Sequence, residues 1–104
     1  MGGSGATKTL SLLSDDTRLE IIEALATQRR DTPFSPEMSF SALADEVGIS
    51  DTGRFNYHLD KLRGSFIEKT DEGYTLNVAG HTIVAAVLGV SVETRSQYEK
   101  TLRD

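Results

Sequence analysis

Residues 41–64 read SALADEVGISDTGRFNYHLDKLRG, and this stretch decides the fold. Ser41 is placed to cap a short helix over 42–47 whose buried side is Leu43 and Val47. Gly48 ends it as a left-handed cap residue, and Ile49 returns to the core. Asp51 is positioned to cap a second helix running to about Arg63, and Gly64 stops that one. Within it Phe55, Leu59 and Leu62 stand at i, i+4 and i+7, one inward stripe. Two short helices joined through Gly48-Ile49-Ser50 make a helix-turn-helix.

Upstream, Leu10 and Leu13 form an apolar pair, interrupted by Ser14-Asp15-Asp16-Thr17. Leu19, Ile22, Leu25 and Ala26 then recur at helical spacing with Ile21 beside them, which predicts a helix over 16–28. Thr17 and Glu20 match a capping box, with Asp15 or Asp16 as alternative caps. Arg29, Arg30, Pro33 and Pro36 mark 28–38 as a loop, and Met38 to Phe40 fit a very short strand. Downstream the period changes. Phe66 to Thr70 and Tyr74 to Val78 partly alternate around the turn Asp71-Glu72-Gly73, a β-hairpin with Tyr74 packed on the body. Asn77 can cap a last helix over 78–88, which is apolar nearly all round and calls for cover beyond its own small domain. The predicted class is mainly α with a small β-hairpin wing (α+β), a winged helix-turn-helix. It is expected to span 10–89, between a disordered tail or engineered scar (1–9) and a C-terminal tail that extends the helix or serves as a linker (90–104).

Composition narrows the function classes. A chain of 104 residues, 38% apolar and 26% charged, supports one domain around one modest core. With no cysteine there is no disulfide and no thiolate chemistry. No apolar run approaches the ~20 residues of a membrane span, and the Gly/Ser-rich start lacks a signal-peptide pattern, so a cytoplasmic protein is expected. There is no nucleophile elbow, no phosphate-cradling glycine loop and no two-histidine metal pair, so no enzyme, metal or cofactor is expected. His58 and His81 read as satisfied structural histidines.

Three motifs in order carry a family resemblance. Leu12 to Ile22, Leu-Leu-Ser-Asp-Asp-Thr-Arg-Leu-Glu-Ile-Ile, resembles the L-x-D-x-T-R-x-x-I-L opening of ArsR-like repressors. Tyr57-His58-Leu59-Asp60-Lys61-Leu62 is similar to their H-H-L-x-x-L recognition-helix ending. Phe66-Ile67-Glu68-Lys69 with Gly73-Tyr74-Thr75-Leu76 resembles their wing, with Asn77 where the last helix cap is usually Thr. The resemblance covers residues 10–89 and implies a DNA-binding regulator. Metal sensing is not implied, because cysteine is absent and there are only two histidines. The acidic surface, together with Gly53 to Leu59, also looks like winged-helix regulators of salt-loving archaea. On that likeness the acidity is an adaptation to molar salt, where the Debye length is only ~3 Å.

The net charge of −5 runs against a DNA binder. Its distribution softens the objection: residues 1–50 carry 4 basic and 8 acidic side chains, whereas residues 51–70 carry 4 and 3. In a helix-turn-helix the N-terminal part of the second helix enters the major groove. The outward residues there are Thr52, Gly53, Arg54, Asn56, Tyr57 and Lys61. Arg54 can pair bidentately with guanine and Asn56 with adenine, each discriminating by roughly 1–3 kcal/mol. Thr52 and Tyr57 can reach phosphate or a thymine methyl. Gly53 costs a helix about 1 kcal/mol, which close approach to the DNA backbone would explain. Lys61, Arg63 and Lys69 are expected phosphate contacts, while the acidic wing tip Asp71-Glu72 is not expected in the minor groove. Ile83, Val84, Val87 and Leu88 are the expected interface of a homodimer on a pseudo-palindrome.

The partner expected is double-stranded DNA, with no membrane and no small-molecule ligand evident. Two alternatives stay open. One is a winged-helix protein-interaction module without DNA, favoured if acidic side chains of the first half cover the outward face of the second helix. The other is the N-terminal part of a longer sensor-regulator.

Overall fold

The computed structural model describes residues 11–89. Residues 11–13 are helical, and the following elements run in chain order. They are α1 (Asp16–Asp31), α2 (Phe40–Val47), α3 (Thr52–Leu62), β1 (Ile67–Thr70), β2 (Gly73–Leu76), α4 (Val78–Ile83) and a π-helical turn (Val84–Gly89). Three helices followed by a hairpin and a further helix make a winged helix-turn-helix. The expected segments 1–9 and 90–104 lie outside the described residues.

The N-cap of α1 is Asp15, whose Oδ1 accepts from the backbone N–H groups of Thr17 at 2.8 Å and Arg18 at 3.3 Å. The Thr17–Glu20 capping box does not form. The helix also runs to Asp31 rather than stopping near Gln28. Arg29 and Arg30 in its last turn complement the negative helix end, and the Thr32 hydroxyl donates to the Gln28 carbonyl at 2.7 Å before Pro33.

Helix α2 begins two residues earlier than expected. Its cap is Ser39, not Ser41, with Oγ accepting from the Ala42 N–H at 3.1 Å. The reason is Phe40, whose ring meets that of Phe55 edge-on at 5.1 Å and ties the start of α2 to α3. The predicted strand at 38–40 shrinks accordingly to a single bridge between Met38 and Tyr74. Gly48 closes α2 at φ +83°, its N–H donating to the Ala44 carbonyl at 2.8 Å. Asp51 then caps α3 through the Arg54 N–H at 3.0 Å, as the sequence predicts.

The hairpin pairs Ile67 with Leu76 and Thr70 with Gly73, so its loop is the two residues Asp71-Glu72 and Gly73 belongs to β2. Both strands are slightly shorter or shifted relative to 66–70 and 74–78. Thr70 Oγ1 holds the turn, donating to the Gly73 carbonyl at 3.3 Å and accepting from the Glu72 N–H at 3.2 Å. Asn77 caps α4 through the Gly80 N–H at 2.8 Å. The last helix is not uniform: its α-helical part ends at Ile83 and a π-helical turn follows.

One core joins these elements. Ile21, Ile22 and Leu25 of α1, Leu43 of α2, Phe55, Leu59 and Leu62 of α3 and Ile67 of β1 are all fully buried. Burying a side chain of this size stabilises by about 1.5–3 kcal/mol. Tyr74 is buried against the body, as expected. Among the described residues no helix is long and apolar enough to cross a membrane.

Candidate nucleic-acid interface

The inner face of α3 carries Phe55, His58, Leu59 and Leu62. The 3.6-residue period then sends Thr52, Gly53, Arg54, Asn56, Tyr57 and Lys61 outward, and all six are exposed. The structure divides them. Thr52, Gly53 and Arg54 occupy the first turn, where the Asp51 carboxylate already satisfies the Arg54 backbone N–H. Asn56 faces the wing, lining a groove with Lys69 and the hairpin turn 70–73. Tyr57 and Lys61 line a different groove, together with Arg63 and Arg18.

Tyr57 is held in place. Lys61 Nζ stands 5.4 Å from the centre of its ring, and the ring meets that of His58 edge-on at 5.6 Å. The tyrosine therefore lies along the helix toward Lys61. Of the expected phosphate contacts, Lys61, Arg63 and Lys69 are all exposed. Arg63 lies 3.9 Å from Asp60 across one helical turn, a weak exposed pair, and Lys69 stands 5.9 Å over the Tyr74 ring. The acidic residues Asp71 and Glu72 are exposed at the wing tip.

Residues 6–87 match the family model described as a domain of unknown function, DUF7347. The chain belongs to the DUF7347 family. Comparison with curated proteins and with solved structures gives no match. The DUF7347 boundaries enclose α1 through α4, so α3 and both flanking grooves lie inside the family's domain.

Arg18 was not singled out in the sequence. Its Nε donates to His58 Nδ1 at 3.2 Å, joining the start of α1 to the underside of α3. No local spacing signals a contact between residues 40 positions apart. His58 is thereby a buried, hydrogen-bonded structural histidine, as predicted. His81 departs from the prediction, because its Nε2 is buried with no hydrogen-bond partner among the described residues. Burial first, and then the positive charge of Arg29, hold its pKa below the ordinary histidine value.

Among the expected dimer residues, Ile83 and Val84 are half-buried against the chain's own core, and the next two residues, Ala85 and Ala86, are exposed. The side chains of Val87 and Leu88 lie outside the described residues.

Proposed function

We propose that this chain is a sequence-specific, double-stranded DNA-binding transcriptional regulator that reads the major groove with α3 as a homodimer. The observation that carries this reading is the uninterrupted outer face of α3. Thr52, Gly53, Arg54, Asn56 and Tyr57 are all exposed on a helix whose inner face is locked into the core. An exposed Arg and Asn in the first two turns of such a helix are the donor sets that guanine and adenine edges accept. The likeness of the three sequence motifs to ArsR-like repressors supports the same reading.

The outward residues of α3 stay exposed, so among the described residues no side chain covers them. Glu20, Glu23 and Glu46 line a separate groove between α1 and α2. The exposed acids Asp71 and Glu72 at the wing tip favour the second reading, a protein-interaction module, because they would face phosphates unfavourably.

Selection from random duplex DNA at low and at molar potassium chloride separates the two. An enriched motif that is lost on Arg54→Ala or Asn56→Ala is the expected result. Retention of no duplex at either salt would rule out DNA reading in favour of a protein partner.

A further inference from the structure

Arg18 is the third residue of α1, and its Nε is fixed on His58. That bond uses one of the five N–H donors of a guanidinium and leaves the four terminal ones. Among the described residues no carboxylate lies within ion-pair distance of Arg18 or Lys61. Both line one groove of about 500 Å³ with Leu12, Tyr57, Arg63, Ser11 and Ser65. The single acidic side chain in that lining, Asp60, lies beside Arg63, and the nearby Asp15 carboxylate is committed to the α1 cap. Three of the chain's eleven cationic side chains thus meet against one carboxylate, in a chain of net charge −5.

We propose that this groove seats one backbone phosphate of the bound DNA, with Arg18 as its clamp. The assignment rests on the DNA reading above and adds a contact outside the recognition helix. A half-buried arginine whose Nε is held in place presents its planar fork ready-made for two phosphate oxygens. Lys61 supplies a second charge, and the hydroxyls around the groove supply neutral donors. Because His58 sits on the buried side of α3, a phosphate gripped by Arg18 is fixed in register with that helix. Backbone contacts of this kind position a protein without reading sequence. The clamp would set where Arg54 and Asn56 meet the bases.

The test compares the wild-type chain with Arg18→Gln on selected and on unrelated duplexes across a salt series, and on duplexes carrying single methylphosphonates. Arg18→Gln is expected to weaken both duplexes alike, by roughly tenfold. It should also flatten the dependence of log K on log salt by about 0.9, the value of one phosphate. At one phosphate in each half-site, a methylphosphonate should weaken the wild type and weaken Arg18→Gln distinctly less, since Lys61 still faces that phosphate. Lys61→Gln leaves the Arg18–His58 bond intact and should show reduced sensitivity at the same phosphate, so the result does not hang on how well Arg18→Gln folds. Wild-type binding with the same salt slope and methylphosphonate profile in both variants overturns the clamp and leaves DNA reading standing. No duplex binding by the wild type overturns both.

Discussion

Met38 and Tyr74 exchange both of their backbone hydrogen bonds, 2.9 Å from the Met38 N–H to the Tyr74 carbonyl and 2.8 Å in the other direction. This one bridge ties the loop after α1 to the wing, and it brings the Met38 backbone against the neighbouring Gly73. A Cβ at Gly73 would collide with the Met38 carbonyl oxygen and stand 2.7 Å from its carbon, and φ there is +133°. Gly73→Ala has no inexpensive escape, because the obstacle is backbone. We expect a loss of about 2 kcal/mol or more, read as a lower urea midpoint with an unchanged m-value. An unchanged midpoint would mean that the wing is not anchored through Met38.

The helix-turn-helix was legible because its signals are local. Gly48, the Asp51 cap and the Phe55-Leu59-Leu62 stripe each lie within a turn or two of what they determine. What was not legible depends on partners distant in sequence. Two serines, 39 and 41, both fit a helix cap, and Phe40 reaching Phe55 selects the first. Met38 needs Tyr74 to become a bridge residue, and Arg18 needs His58 to become part of the candidate interface. Apolar count alone made the last helix look uniform. It did not reveal that Ile83 and Val84 already pack on their own core, or that the helix changes winding after Ile83.

Gly53 offers a test that separates stability from binding. Its φ is not in the left-handed region, and a Cβ there would meet only Asp51 Oδ1, at an ordinary 3.6 Å. Gly53→Ala should therefore stabilise the fold by about 0.4–1 kcal/mol through the lost freedom of the unfolded chain. On the DNA reading the added methyl stands at the helix end that approaches the duplex, so affinity should fall while the melting temperature rises. A variant that gains in both would show that glycine is not kept there for close approach.

The cap of α1 predicts a contrast between neighbours. Asp15→Ala removes the acceptor for two backbone N–H groups and should cost about 1 kcal/mol. Thr17→Ala keeps the N–H that matters and should stay within about 0.5 kcal/mol of wild type. The reverse ranking in urea melts would mean that Thr17 and Glu20 form the capping box after all. Acid adds a second signature. Burial pushes the Asp15 carboxyl up, but the Arg18 N–H, the His58 charge, the Thr17 N–H and the Arg18 charge together hold it below its ordinary 3.8. Its contribution is complete above that value and is lost as pH falls through the lower, folded one.

His81 should make stability fall on mild acidification. Burial of its ring, and then the Arg29 charge, keep the folded pKa below the ordinary 6.5. Above 6.5 neither state carries the extra proton, so this position adds no pH dependence. Below it the unfolded chain takes up a proton that the native state resists, which favours unfolding, and the loss levels off beneath the folded value. His81→Leu removes both the titration and an unsatisfied polar atom, so the variant should be at least as stable as wild type near neutrality. Urea midpoints at about pH 7.5 and about pH 5.5 decide the point, with a smaller drop expected in the variant than in the wild type. Equal drops would assign the acid sensitivity to groups other than His81, and would mean that its ring finds a hydrogen-bond partner in solution.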